Sequence, residues 1–328
     1  MTVGLDIGTM NIVSARMKDG KIETKRIRDA FLDLPKTAKR ILKMSQASYV
    51  EREDELFLLG DQAMEMANMF NKEVRRPLSQ GLISPSETDS LEVLGFLIKE
   101  VLGEPITENE ICFYSVPAAP LDNPSKDIIY HEGIFKRIVS DLGYRAVSSN
   151  EAMAIIFSEA AKENFSALSF SFGSGMTNVA LAYNGVGGME FSVERGGDWI
   201  DNRASKSIGS TQSRICAIKE NGVDLLAPKN RDEEALVFYY RALINHALDW
   251  VSKEFRAKQL DQVLSKEVPI ILSGGTSKPI NFLECFKEEF EKRKAKMGIN
   301  ISDIRLATDQ LNSVAKGLLI QAINEEEE

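Results

Sequence analysis

Apolar runs that stop at glycine-rich turns set the organisation of this chain. Val3–Leu5 and Ile12–Met17 predict a hairpin around the turn Asp6–Asn11, with Lys18-Asp19-Gly20-Lys21 as the next turn. Residues 21–70 are more polar and read as a small inserted subdomain. They predict a basic helical stretch from Lys36 to Lys43, a hairpin of Ala47–Val50 with Glu55–Leu59, and a helix opening at Asp61. A helix over about 87–102 follows, then a buried-type strand Ile111–Val116 ending at Pro117, and a helix His131–Leu142 closed by Gly143. Ala146–Ser148 predicts a short strand and Glu151–Lys162 a helix.

The second half repeats the opening theme. A strand over 166–172, a glycine-rich turn, a strand Val179–Tyr183, the turn Asn184-Gly185 and a strand Met189–Val193 are predicted in that order. An amphipathic helix over 232–258, a strand over 268–273, a helix over 280–297 and a last helix Leu311–Ile323 complete the pattern. Two halves with one organisation predict a duplicated α/β fold with a cleft between the lobes.

Length and composition narrow the function. A chain of 328 residues has room for two domains, and 43% hydrophobic with 27% charged residues is ordinary for a globular protein. The formal charge of −9 argues against a general affinity for nucleic acid or anionic lipid. Cys112, Cys216 and Cys285 are odd in number and far apart, which predicts reduced, mostly buried thiols and a cytoplasmic location. His131 and His246 offer little material for a metal site. Met1-Thr2-Val3 runs straight into the first strand, so no leader peptide or direct membrane anchor is expected. Glu325 to Glu328 predicts a solvated, frayed tail.

Three turns carry the chemistry. Asp6 to Asn11, Ser171 to Asn178 and Gly274 to Ser277 each follow an apolar strand and supply glycine with Ser or Thr, the composition that lets a backbone approach a phosphate or sugar closely. In the first, Asp6 is placed to hold Mg²⁺ or its waters, while Gly8, Thr9, Met10 and Asn11 offer N–H groups and short side chains to phosphates. Gly173, Ser174, Gly175, Met176 and Thr177 form the opposing clamp. Gly274, Gly275, Thr276 and Ser277 let a helix start pack beneath a base or sugar. A P-loop is excluded because no G-x-x-x-x-G-K-[ST] occurs, and no G-x-G-x-x-G opens a helix after the first strand.

The order D-x-G-T at Asp6, N-E-x-x-A at Asn150, G-x-G-x-T at Gly173, G-G-T-S at Gly274 and a small-residue helix with Ser313-Val314-Ala315-Lys316-Gly317 resembles the actin, heat-shock chaperone and sugar-kinase ATPase superfamily along the whole chain. The chain length, the small insertion and the run Arg195-Gly196-Gly197-Asp198-Trp199-Ile200-Asp201 are most similar to prokaryotic actin-like proteins of the MreB type.

The resemblance implies an actin-like (ribonuclease H-like) two-lobe fold with a nucleotide cleft. Lobe I would span 1–163, with the insertion at about 21–70, and be completed by a C-terminal helix at about 309–325; lobe II would span 164–308. It implies ATP or ADP with Mg²⁺ as ligands, Glu151 as the residue orienting the attacking water, and Lys219 at the adenosine. It further implies head-to-tail filaments of this chain, served by adaptors the sequence does not identify. The alternative is a non-polymerising ATPase switch or a chaperone-like regulator of a partner. Three departures from the superfamily pattern stand out, one of them the interruption of the second turn's glycines by Ser174 and Met176. Ser171 occupies the place of a metal-side Asp, which predicts slow hydrolysis, and Cys216 falls where the adenosine-side Glu belongs.

Overall fold

The computed structural model describes residues 1–52, 55–70, 72–84, 87, 89–126, 128–260 and 266–327. The chain opens with β1 (Thr2–Ile7), β2 (Asn11–Lys18) and β3 (Lys21–Arg28), each antiparallel to the one before. A small unit follows, with β4 (Phe31–Pro35), α1 (Lys39–Met44), β5 (Tyr49–Arg52), β6 (Glu55–Leu59) and α2 (Asp61–Phe70); its three strands pair in the order β4-β6-β5. The two-residue strands β7 (Leu78–Ser79) and β8 (Leu82–Ile83) make a tight hairpin. Next come α3 (Ser90–Leu102), β9 (Ile111–Val116), α4 (Ile129–Asp141), β10 (Arg145–Asn150) and α5 (Glu151–Glu159).

The second half runs β11 (Ala167–Phe172), β12 (Thr177–Tyr183) and β13 (Val186–Val193), then α6 (Gly197–Ile208), α7 (Gln212–Glu220) and α8 (Arg231–Ala257). It ends with β14 (Val268–Ser273), α9 (Phe282–Glu291), α10 (Lys294–Met297), β15 (Ile301–Leu306) and α11 (Ser313–Glu327).

Duplication is explicit in the pairing. The first five-stranded sheet has the order β3-β2-β1-β9-β10 and the second β13-β12-β11-β14-β15. In both, the first three strands are antiparallel and the last two join in parallel, so each sheet begins with a meander and finishes with crossovers. The parallel part needs both faces covered, and the sequence obliges: β11 and β14 are buried at every position. On one face of the second sheet Phe170 and Phe172 stack, with Phe282 and Phe286 of α9 set edge-on against them.

The other faces of the two sheets meet through α5 and α11. Asn150 caps α5, its Oδ1 accepting from the N–H groups of Ala152 at 2.8 Å and Met153 at 3.2 Å. Helix α11 lies on β1 and β9 and crosses α5, which lies on β11 and β12. The crossing is close enough that a Cβ on Gly317 would stand 1.7 Å from the carbonyl oxygen of Ala154. Between them Ile155, Ile156, Leu318 and Ile271 make one buried cluster joining both sheets.

Several elements differ from the sequence expectation. Lys21–Arg28, placed in the polar insertion, is instead the edge strand of the first sheet, paired with β2 along its whole length. A strand at 301–306 was not expected; with Ser302 and Asp303 exposed and no position fully buried, it suits the opposite edge of the second sheet. The helix expected over 280–297 breaks into α9 and α10. The expected acidic tail is helical through Glu327, with Glu325 paired to Arg145 at 2.9 Å and Glu326 to the N-terminal amine at 2.6 Å. Glu328 and residue 88 of the helix expected over 87–102 lie outside the described residues. Among the described residues no helix is long and apolar enough to cross a membrane.

Candidate nucleotide cleft

The two meanders place their first turns face to face. Gly8 donates its N–H to Asn11 O at 3.1 Å, and Gly173 donates its own to Met176 O at 3.0 Å, so the β1–β2 and β11–β12 turns are built alike. Both border one cavity of about 510 Å³. Asp6, Gly8, Thr9, Met10 and Asn11 line it from the first sheet, and Gly173, Ser174, Gly175 and Met176 from the second. Gly274, Gly275 and Thr276 follow β14 and close a third side, with Lys219 beside them. Gly274 has φ +92°, and a Cβ there would lie 2.3 Å from Phe172 O, so this turn depends on glycine for both its conformation and its close approach.

Two of the sequence-predicted residues do not reach the cavity. Thr177 turns inward, its Oγ1 donating to Arg195 O at 2.7 Å, and Ser277 donates to Gly274 O at 2.7 Å. Both are buried, because each follows its turn at a position where the chain has already re-entered the core.

Asp6 and Glu151 stand at the floor of the cleft. Asp6 Oδ1 accepts from Ser115 Oγ at 2.9 Å, while Ser115 Oγ accepts from Ile7 N at 2.7 Å. Glu151 Oε2 accepts from Asn178 Nδ2 at 3.0 Å and from Ser171 Oγ at 3.3 Å. Burial raises both carboxyls, that of Asp6 to about 6 against the Ser115 hydrogen bond. Glu151 is pushed up to about 8 by burial and then by the Asp6 charge, against its two hydrogen bonds. Both shifts favour the protonated acids, and a cation bound beside the pair would offset the cost of ionising them there.

Lys219 is held rather than free. Its Nζ lies 2.6 Å from Asp201 Oδ2 and 3.2 Å from Gly197 O, which ties the end of α7 to α6. Sequence reasoning quoted Asp201 only as part of a motif; this ion pair gives it a role in setting the cavity wall. It also missed Ser115 and Asn178, which fix the two carboxylates, and Gly81, whose N–H donates to Thr9 Oγ1 at 3.0 Å from the β7–β8 turn. Asn178 carried a signal in its place at the end of the second turn. Ser115, the penultimate residue of an apolar strand, carried none.

Comparison with known proteins fits this geometry. A family model described as Volactin matches residues 1–322. This chain belongs to the Volactin family. Among solved structures, the MamK double helical filament is similar at a TM-score of 0.71 and 16% identity, covering 100% of this chain and 98% of that one. MreB 5 of Spiroplasma citri bound to AMPPNP is similar at 0.69 and 16%, covering 99% and 97%. The ethanolamine utilization protein EutJ from Carboxydothermus hydrogenoformans is similar at 0.55 and 14%, covering 97% and 89%. These likenesses establish an actin-like, two-sheet α/β fold for this member of the Volactin family. No curated protein matches the sequence.

The residues present fit a nucleotide. Ser174 Oγ is buried at the cavity wall without a partner, a hydroxyl ready for a phosphate oxygen. A Cβ added to Gly275 would meet only Leu311 Cδ2, at 3.6 Å, so the space above Gly275 belongs to the cavity. Among the described residues no group of three or more His, Cys, Asp or Glu side chains could hold a metal ion. Mg²⁺ at Asp6 would need phosphate oxygens and water to complete its shell.

Proposed function

We propose that this chain binds Mg·ATP between its two sheets, hydrolyses it slowly, and assembles head to tail with its own copies in a nucleotide-dependent way. The observation that carries the reading is the pair of matching glycine turns meeting across one cavity above two half-buried carboxylates, Asp6 and Glu151. The lobes would divide at about 163/164, with the segment from about 309 returning to the first.

In this reading the turn N–H groups of Thr9, Met10, Ser174 and Gly175 receive phosphate oxygens, while those of Gly8 and Gly173 stay inside their turns. Asp6 would hold the cation, which supplies charge neutralisation at the phosphates when bound. Asn178 and Ser171 fix Glu151 Oε2 and leave Oε1 to orient a water molecule. Slow turnover follows because Ser171 brings a neutral hydroxyl where the superfamily resemblance implies a carboxylate. The crossing at Gly317 and Ala154 would transmit the angle between the sheets, and that angle would decide whether one copy fits the next. Support for polymers comes from MamK, whose similar structure is a double helical filament.

The test pairs a thermal shift with sedimentation and electron microscopy. Mg·ATP at a hundredfold excess over Kd is expected to add about 2.7 kcal/mol of stability, with the gain shrinking in Asp6→Ala. Filaments are expected with Mg·ATP and fewer without. Absence of any shift at millimolar nucleotide ends the nucleotide reading, and a shift without polymers leaves the ATPase switch. Glu151→Gln is expected to cut phosphate release by about 10²-fold while leaving affinity nearly unchanged.

A further inference from the structure

Arg28, the last residue of β3, holds two acidic partners with one guanidinium. Its Nη2 lies 2.8 Å from Glu220 Oε1 at the end of α7, and its Nη1 lies 3.8 Å from Asp61 Oδ1 at the start of α2. Nη2 also reaches Met10 Sδ at 3.3 Å. All four residues line the cavity.

The two acids stand on opposite sides of it. Helix α2 packs on β4 and β6, whose small sheet joins the first half, whereas α7 packs on α6 and α8 of the second. Lys219, next to Glu220, is tied to Asp201 within the second half, so the end of α7 is anchored there and Glu220 reaches across. Parting of the sheets must break Arg28–Glu220, but it leaves Arg28–Asp61 intact. Asp61, 3.8 Å away in the closed arrangement, can take the guanidinium more closely once Glu220 withdraws, and that gain is what lowers the barrier to opening.

We propose that the Arg28–Glu220 pair is a latch across the cavity mouth that retards release of bound nucleotide, with Asp61 as the resting partner of Arg28 when the halves part. The latch rests on the nucleotide reading above and assigns the residues that govern exchange at that site. Its size is limited by solvent: the Arg28 side chain is 19% exposed and that of Glu220 49%. A pair so placed changes a rate by up to about fivefold and weakens with salt.

The experiment follows release of a fluorescent ATP analogue chased by excess unlabelled Mg·ATP. Glu220→Gln and Arg28→Gln are each expected to speed release by about three- to fivefold, with no further gain in the double variant. Asp61→Asn is expected to slow release, because it strips the open state of its partner. Raising salt from about 50 to about 500 mM should speed the native protein and leave Glu220→Gln unmoved. Glu220→Gln and Asp61→Asn shifting the rate in the same direction, or single effects that multiply in the double variant, overturn the latch. An analogue that never binds overturns the nucleotide reading itself, and the latch with it; one that binds and leaves every variant at the native rate overturns the latch alone.

Discussion

Ser171 Oγ donates to Glu151 Oε2 across 3.3 Å, at the place where the two halves of the chain contribute one residue each to the cleft floor. The hydroxyl is neutral, so it steadies Glu151 without adding a charge to a place where burial raises both carboxyls and the Asp6 charge raises Glu151 further.

Ser171→Asp exchanges that donor for a third carboxylate in a buried place. Without ligand the variant is expected to lose about 1–3 kcal/mol of stability, since Glu151 then faces a like charge in place of a hydrogen bond. Saturating Mg·ATP is expected to restore it and to speed phosphate release above native, whereas scarce Mg²⁺ abolishes the gain. Thermal melts and phosphate release across a magnesium titration check both halves; a native protein already as fast as the variant at high Mg²⁺ shows that Ser171 is no handicap.

Two glycines of the cleft are expected to respond in opposite ways to valine. At Gly275 a Cβ meets only Leu311 Cδ2, at 3.6 Å, so Gly275→Val should fold with a nearly native Tm and fail to bind nucleotide. At Gly175 the Cβ would lie 2.1 Å from the N of Gly81, and Gly175→Val should lose several degrees of Tm before any ligand is added. Equal melting temperatures for the two variants would contradict the packing of the β7–β8 turn on the second glycine turn.

Asp29 supplies a pH dependence away from the cleft floor. It is buried, with Oδ2 accepting from Leu78 N at 3.1 Å and Oδ1 without a partner. Burial holds its carboxyl well above the usual range, against the Leu78 hydrogen bond and the Arg76 charge. The folded protein therefore keeps this proton after the unfolded chain has lost it, at about pH 4. Its contribution to stability is complete below that pH and declines as pH rises through the folded value. Asp29→Asn retains an acceptor for Leu78 and cannot ionise, so its Tm should gain on native between about pH 5 and 8. Parallel Tm curves across that range would show that the carboxyl ionises freely in the fold.

Gly317→Ala tests the helix crossing. Its Cβ would stand 1.7 Å from Ala154 O, a backbone atom that moves only if α5 and α11 separate. A loss of about 3 kcal/mol or more is expected in urea unfolding, at the upper end of overpacking effects. The same variant should polymerise poorly even where it stays folded, because the angle between the sheets is set at this crossing. A native urea midpoint would mean that the helices have slack.

Much of this protein was determined by sequence alone. The meander repeated in each half, the three glycine turns and the capped start of α5 at Asn150 are local features, because strand endings and turns are fixed by residues a few positions apart. Thr177 and Ser277 show the limit: composition assigned them to the cleft, and the direction of the chain after each turn put them in the core. The strands β3 and β15 were misplaced or missed for a related reason. Both are edge strands with charged, half-exposed sequences, and only their pairing with β2 and β14 makes them part of the sheets. Tertiary structure also decided the electrostatics. Lys219 finds Asp201 in another helix, Asp6 finds Ser115 from 109 positions away, and Arg28 finds Glu220 from 192. Such partners leave no spacing to read, because they meet only after two sheets have packed around α5 and α11.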